Sequence, residues 1–575
     1  MRHDNQMQDR AHFKFWPQRL PRNITPPAGS LWHNLAVNAL RYPDKTAIAF
    51  FDTAISYAQL LRQAQQLAQY LQGLGVKKGD RVVVCMQNCP QLIISHFAVL
   101  RLDAVVVPVN PMNKAQELQH YITDPDTRVA ITTADLASEW AAASNALPLA
   151  QRLNHLVITQ FTDALGDQAT QDMPPAWRDW LTTLHAAPAM DSGVCHDWPV
   201  LMAAMQRASD DGTISLPQVS ATSQDLAVLP YTSGTTGLPK GCMHTHVSIM
   251  HNAVASSLWS NGTSANVTLC AVPMFHITGM VSVMHATVFA GATLVVMPRW
   301  DRDLAGRLIS RHKVTHWTNI PTMVIDLLAS PSFDQYDLSS LVYIGGGGAA
   351  MPQAVAQRLW EQFGLRYAEG YGLTETAAPS HSNPPDATKQ QCLGVPFISA
   401  QARVIDPDTL QEVPTGEQGE IIMHGPMNFS GYWKNPQATA KAFIEFEGKQ
   451  FFRSGDLGRV DEDGYFFLTD RLKRMINASG FKVWPAEVEA LMFQHPAIAE
   501  ACIIAAHDDY RGETVKAVVV LRKTHLQTTE DDILQWCRDH MAVYKAPRIV
   551  QFVDALPKSG SGKVMWRALQ EAQKV

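Results

Sequence analysis

From Gly241 to Pro298 the chain contains no aspartate, glutamate, lysine or arginine. So long a stretch without formal charge invites a membrane reading, but histidines, Pro273, Gly279 and Gly291 interrupt it and argue against a spanning helix. It parses instead as a buried strand (Thr268 to Val272), a loop, a helix (about Met280 to Phe289) and a second strand (Thr293 to Met297), an interior strand-helix-strand pattern. Cysteine is also scarce: eight residues are scattered through 575, and the closest pair, Cys85 and Cys89, has no partner pair at metal-site spacing. This excludes a disulfide framework and predicts reduced thiols in a cytoplasmic protein. The first residues, through Phe15 and Trp16, hold no apolar core of signal-peptide length. Nor is there an excess of positive charge: 47 basic against 53 acidic residues give −6, which argues against a general nucleic-acid binder.

What is present is bulk. With 46% hydrophobic residues the chain can bury a large core, and its length calls for at least two domains. Ser56 and Gln59 form a capping box ahead of a helix with Leu60, Leu61, Ala64, Leu67, Ala68 and Leu71 at a 3.6 period, stopped by Gly73 and Gly75. The run Val82 to Val84, a helix entered through Pro90, and Val105 to Val107 make a parallel α/β unit, with further strands at Val129 to Ile131 and Leu156 to Ile158. Residues 160–224 dissolve into Asp, Pro, Ala and Gly clusters around one helical piece near Leu201 to Met205, and read as an irregular, partly mobile connection.

That connection leads to Tyr231-Thr-Ser-Gly-Thr-Thr-Gly-Leu-Pro-Lys240. Two glycines, a serine, three threonines and a lysine in ten residues suit a tightly bent backbone that turns N–H groups, hydroxyls and an ammonium toward a polyanion. A surface linker of this composition would leave the apolar approach through Leu226, Val228 and Leu229 unexplained. The usual P-loop pattern is not met, because Pro239, Lys240 and Gly241 stand where Gly-Lys-Ser/Thr is needed.

Further on, the strand Leu341 to Ile344 runs into Gly345, Gly346, Gly347 and Gly348, with Pro352 opening a helix. Bare backbone there lets a flat ligand lie close, while a tight turn explains Gly348 equally well. In Tyr371-Gly372-Leu373-Thr374-Glu375-Thr376 a carboxylate between two threonines could hold magnesium. Asp456, in Arg453-Ser454-Gly455-Asp456, could accept two ribose hydroxyls. The charge cluster Asp470 to Arg474 suits a domain boundary, and roughly a hundred residues follow it, the size of a small α+β domain. Lys563 ends a glycine-rich loop from Lys558.

In this order, from about Leu31 to Arg567, these motifs resemble the adenylate-forming superfamily of acyl-CoA synthetases, nonribosomal adenylation domains and luciferases, and most of all a fatty-acyl-CoA synthetase. The resemblance implies an α/β fold, with a large N-terminal domain of stacked α/β subdomains (residues 1–470) and a small mobile α+β C-terminal domain (residues 471–575). It implies that Thr232, Ser233, Gly234, Thr235, Thr236, Gly237 and Lys240 hold the β- and γ-phosphates of ATP. Gly346, Gly347, Gly348, Ala349 and Tyr371 would bracket adenine, Gly372 would belong to the same nucleotide site, Thr374 would touch the α-phosphate, Glu375 would ligate Mg2+, and Asp456 would bind the ribose with Arg471 nearby. Lys563 would meet the carboxylate and α-phosphate as charge accumulates there. Lys473 matches the hinge, Gly480 the pantetheine tunnel, and His276 with Gly345 the acyl pocket. The implied cosubstrates are a small-molecule carboxylic acid, ATP and coenzyme A, with no nucleic acid and no transmembrane segment. Peripheral membrane contact and a homodimer stay open.

Two departures stand out. Ser454 replaces a common threonine, and Ser479, Gly480, Phe481 and Lys482 replace Gly-Gly-x-Asn. No aspartate lies beside His276 to bind a substrate amine, which disfavours an amino-acid substrate. The rival readings are an acyl-AMP ligase that loads a carrier protein, a luciferase-like oxygenase, and a non-catalytic nucleotide-dependent lipid binder. Thioester formation with free coenzyme A separates the first, and carboxylate-dependent pyrophosphate exchange the last.

Overall fold

The structure is a computed structural model that describes residues 10–232, 238–471, 474, 476–478, 481–483, 485–508, 512–541, 545–558 and 564–573. The chain divides into two compact units. One comprises Met1–Ala402, Met423–Phe452 and Asp463–Tyr465; the other comprises Arg403–Ile422, Arg453–Glu462 and Phe466–Val575. All eight cysteines are free thiols. Among the described residues no helix is long and apolar enough to cross a membrane.

The larger unit is built on two sheets. In the first, seven strands run in the order His244–Thr245, Leu226–Val228, Val105–Pro108, Arg81–Cys85, Val129–Thr133, His155–Thr159 and Val194–Asp197. Neighbours are parallel except at His244–Thr245. The helices Tyr57–Gly73 and Pro90–Arg101 pack on each other beside this sheet. The capping box is present: the Gln59 N–H donates to Ser56 Oγ (3.3 Å) and the Ser56 N–H to Gln59 Oε1 (2.7 Å). Leu60, Ala64, Leu67, Ala68 and Leu71 are all buried, and Gly75, at φ +92°, ends the turn.

The charge-free stretch occupies the middle of the second sheet. This sheet has nine strands, in the order Val395–Pro396, Ala378–Ser382, Tyr367–Leu373, Tyr343–Gly347, His316–Asn319, Val267–Cys270, Thr293–Val296, Thr46–Phe50 and Thr53–Ser56. Val267–Cys270 is flanked by two parallel neighbours. Between Val267–Cys270 and Thr293–Val296 the chain forms a π-helix, Gly279–His285, continued by the α-helix Ala286–Ala290. The stretch also supplies the helix His246–Trp259, most of which is buried. A charged side chain in such a position would lose its water without gaining a partner, so the missing charge is a condition of the location.

Residues 160–224 are more ordered than their composition predicts. They form the short helices Ala169–Asp172 and Arg178–Thr182, the edge strand Val194–Asp197, and the helix Trp198–Asp210. The Asp197 side chain caps that last helix. The helix packs on Tyr57–Gly73, where Gln66 Nε2 donates to Gln206 Oε1 (2.8 Å). Further along, the Ser220 N–H donates to Asp103 Oδ2 (2.6 Å). Val-Cys-His-Asp is neither alternating nor continuously apolar, so periodicity could not reveal this strand.

The smaller unit carries a five-stranded sheet in the order Phe481–Val483, Ile476–Ala478, Gly512–Leu521 and Ile498–Asp508, with Ile549–Phe552 also paired to Gly512–Leu521. Its core joins Ile498, Ile503, Val515 and Val519 to Val488 and Met492 of the helix Pro485–Met492 and to Ile533 and Cys537 of Glu530–His540.

Candidate active site

Thr232 and Lys240 pair across a two-stranded hairpin, Tyr231–Thr232 with Lys240–Gly241. Its base is tied to the first sheet's side of the unit. The Tyr231 hydroxyl donates to Asp124 Oδ2 (2.6 Å), and the Pro239 carbonyl lies 2.7 Å from His120 Nε2. The loop at its tip, Ser233, Gly234, Thr235, Thr236 and Gly237, lies outside the described residues, as do Lys473, Gly480 and Lys563.

After the hairpin, the chain pairs with a segment that the sequence did not single out. Cys242 and Tyr432 form an isolated antiparallel bridge; the Met243 N–H donates to the Gly431 carbonyl (2.9 Å) and the Trp433 N–H to the Gly241 carbonyl (2.8 Å). This pairing sets Tyr432 between two predicted site residues. The Lys240 ammonium lies 4.5 Å from the centroid of its ring. Its hydroxyl donates to Glu375 Oε1 at 2.9 Å. Burial, and next the Glu375 carboxylate, hold the phenol well above its ordinary pKa, so it remains a donor at physiological pH.

Thr374, Glu375 and Thr376 form one 3₁₀ turn at the end of the strand Tyr367–Leu373. Immediately after it, Ala377 and Ala378 both take left-handed backbone angles, φ +51° and +75°. Two non-glycine residues in this region store strain that the surroundings must hold in place. Asn252 does so from the charge-free helix, its Nδ2 lying within 3.1 Å of the carbonyls of Thr376, Ala377 and Pro379. His244 adds a contact of 2.7 Å from Nε2 to the Thr374 carbonyl. A carbonyl only accepts, so Nε2 carries the proton. Burial lowers the pKa of this imidazole to about 4 and keeps it neutral.

The glycine run does not lie beyond its strand, as expected, but within it. The strand is Tyr343–Gly347, with Gly345 opposite both Thr318 and Ala368, and Gly346 opposite Asn319 and Glu369. A Cβ on Gly346 would sit 1.8 Å from the Asn319 carbonyl oxygen, so backbone packing alone demands glycine there. Gly348, at φ +89°, makes the turn. Ala349 is exposed beyond it. Gly372 likewise has no room for a Cβ, with the Ala378 carbonyl oxygen 1.9 Å away.

Behind these glycines sits Glu369, buried and not foreseen. Its carboxylate accepts from the Gln391 N–H (2.7 Å) and the Met351 N–H (3.3 Å). Desolvation outweighs both bonds and raises its pKa to about 7. Tyr371 is partly buried, its ring centroid 5.8 Å from that of His381. His276 is exposed on the loop leading to the π-helix.

In the smaller unit, Asp456 is 2% exposed. The strand that presents it, Lys449–Val460, is fixed there by the buried Glu420, which pairs with Arg453 and accepts from the Gly455 N–H (3.0 Å). The Asp456 N–H donates to Ser454 Oγ (3.0 Å), so serine supplies the hydroxyl for which threonine was the expected residue. The main chain of Arg471 pairs with that of Asp456.

In the larger unit, then, the Lys240 ammonium and the Glu375 carboxylate share one tyrosine beside the Tyr231–Gly241 hairpin. Among the described residues no three metal-ligating side chains gather into a cage. One carboxylate nonetheless fits Mg2+, which keeps several waters and takes other oxygens from substrate phosphates.

The profile of the AMP-binding enzyme family matches residues 35–433, and that of the AMP-binding enzyme C-terminal domain matches residues 487–563. The chain belongs to the AMP-binding enzyme family. This AMP-binding enzyme is 34% identical over 561 residues to a long-chain-fatty-acid–CoA ligase of Bacillus subtilis, covering 97% of each chain. It is 32% identical over 546 residues to 4-coumarate–CoA ligase 2 of Oryza sativa subsp. japonica, covering 92% of this chain and 90% of that one. The crystal structure of ATP-bound MatB from Rhodopseudomonas palustris, at 28% identity, matches with a TM-score of 0.76 over 94% of this chain and 99% of that chain. The protein is an acid–thiol ligase, an AMP-forming acyl-CoA synthetase with an α/β fold. Its substrates are a small-molecule carboxylic acid, ATP and coenzyme A, with Mg2+ accompanying the nucleotide.

Proposed function

We propose that this AMP-binding enzyme activates a medium- or long-chain fatty acid, or another bulky apolar acid. The observation that carries this reading is the likeness to a long-chain-fatty-acid–CoA ligase over 97% of both chains. The lack of an acidic residue beside His276 supports it, because a substrate amine would need one.

In the first step the carboxylate attacks the α-phosphorus of ATP, the bond to pyrophosphate breaks, and an acyl-adenylate forms. The residues from Thr232 to Lys240 (Ser233, Gly234, Thr235, Thr236 and Gly237 included) grip the leaving pyrophosphate. Tyr371 and the run Gly346 to Ala349 enclose adenine, with Gly372 behind. Thr374 meets the α-phosphate. Mg2+, when bound, neutralises phosphate oxygens, and Glu375 is the protein's carboxylate toward it. Asp456 takes the ribose hydroxyls with Arg471 close by, and Lys563 offsets the charge that builds at the α-phosphate. In the second step the coenzyme A thiol attacks the acyl carbon and AMP leaves. Residues 471–575 move between the steps about Lys473, exchanging Lys563 for the segment of Gly480. His276 and Gly345 border the acyl group. The free thiols support a cytoplasmic location.

A panel of linear C8 to C18 acids, 4-coumarate and an alicyclic acid, assayed for the coenzyme A thioester, tests the substrate class. Because apolar pockets discriminate by only ~1–3 kcal/mol per methylene, a broad optimum among linear acids is expected. A higher kcat/KM for 4-coumarate or the alicyclic acid than for every linear acid would overturn the fatty-acid reading in favour of another bulky apolar acid, and no thioester from any of them would overturn both.

A further inference from the structure

Tyr432 lies 57 residues from Glu375 in the chain and 192 from Lys240, yet it touches both. Its position is enforced by the backbone, through the bridge to Cys242 and the bonds from Met243 to Gly431 and from Trp433 to Gly241. Its ring is also fixed by Phe429, edge-on at 4.8 Å between centroids, while the Phe429 N–H donates to the Glu375 carbonyl (2.8 Å). The segment that carries the phenol is therefore held on two sides, by the chain leaving the hairpin and by the Glu375 turn itself. Lysine has a flexible stem and a carboxylate can rotate, so each charge gains direction from a fixed contact. A buried aromatic ring provides a face for the ammonium and a directed donor for the carboxylate.

We propose that Tyr432 is a positioning residue for adenylation, its hydroxyl aiming the Glu375 carboxylate while its ring face seats the Lys240 ammonium. The proposal rests on the reading in which Lys240 faces phosphate and Glu375 faces Mg2+. The phenol engages Oε1 of Glu375 and so fixes the orientation of that carboxylate. The two charges that meet ATP are thereby set at a fixed separation before it arrives, and preorganisation of this kind contributes more than the contact energies themselves.

The test combines binding with turnover in the full-length enzyme. ATP affinity is measured by calorimetry with and without Mg2+ for wild type, Tyr432→Phe, Glu375→Gln and the double variant, alongside pyrophosphate exchange. Wild type should bind ATP more tightly with Mg2+. Tyr432→Phe, which keeps the ring and the fold, should lose several-fold of that Mg2+-dependent gain and should need several-fold more Mg2+ for half-maximal exchange, with the KM for the acid unchanged. The double variant should match Glu375→Gln alone, since the hydroxyl acts through that carboxylate. Tyr432→Leu, which removes the ring face as well, should weaken ATP binding even without Mg2+.

A Tyr432→Phe enzyme with the wild-type Mg2+ gain, or strictly additive losses in the double variant, overturns the proposal. If instead wild type and Glu375→Gln share one Mg2+ dependence, the assignment of Glu375 fails, which is a separate result.

Discussion

The imidazole of His244 and the carbonyl of Thr374, 130 residues apart, meet at 2.7 Å. This bond ties the strand His244–Thr245, which follows the Tyr231–Gly241 hairpin, to the turn that carries Glu375. Replacing His244 by alanine leaves a buried carbonyl without its donor, which costs about 1–3 kcal/mol. His244→Ala should therefore lower thermal stability and raise the KM for ATP more than the KM for the acid, as steady-state kinetics would read. Equal changes in the two KM values would remove His244 from the nucleotide side of the site.

Acid should unfold the larger unit early. Burial lowers the pKa of His244, His246 and His251 to about 4, and of His96 and His381 to about 3. A depressed folded value means that stability is fully present above the ordinary histidine range near 6.5 and is lost as pH falls toward the folded values. Each such histidine removes up to about 1.4 kcal/mol per pH unit across that window. Denaturant midpoints measured from pH 8 down to pH 5 should fall steeply below 6.5, and a flat profile would contradict the burial of these rings.

Glu369 should act in the opposite sense. Its pKa is raised from 4.5 to about 7, so its contribution is fully present below about 4.5 and is lost as pH rises through 7. Glutamine keeps an acceptor for the Gln391 N–H without the charge. Glu369→Gln should match wild type near pH 4.5 to 5 and exceed it in thermal stability at pH 8.

Gly346→Ala should damage folding as well as binding. Its Cβ would meet the Asn319 carbonyl oxygen at 1.8 Å, and overpacking of this kind costs ~1–3 kcal/mol or more. The expected result is a lower unfolding midpoint even without nucleotide. An alanine variant with wild-type stability that has lost only ATP affinity would show that the strand can open to make room.

Lys563→Ala separates the two half-reactions. The lysine should matter where charge builds at the α-phosphate, so pyrophosphate exchange should fall by at least about two orders of magnitude, the size seen for lost electrostatic stabilisers. Thioester formation from a supplied acyl-adenylate should be largely spared. Equal loss in both would sink this division of labour.

Local rules carried much of the fold. The Ser56–Gln59 box, the valine strands and the breaks at Gly75 and Gly348 are written in a few neighbouring residues, and so they could be read. The strand Val194–Asp197 could not, because its pairing to His155–Thr159 is fixed by the sheet rather than by any periodicity of its own. The glycine run was legible as special but not as a strand, since the demand for glycine comes from Asn319 and Ala368 on neighbouring strands. Asn252 left a faint mark as the lone amide in a helix without formal charge. Tyr432 left none: the contacts that place it beside Glu375 and Lys240 span more sequence than any motif.

The charge-free stretch has one more consequence, for proteolysis. Trypsin needs lysine or arginine, and after Lys240 the next such residue is Arg299. Complete digestion must therefore release one fragment, Gly241 to Arg299, that carries His244, Asn252 and the central strand Val267–Cys270 together. In the native protein no tryptic nick can fall inside it, and the release of that single peptide over time would report the opening of the larger unit's interior.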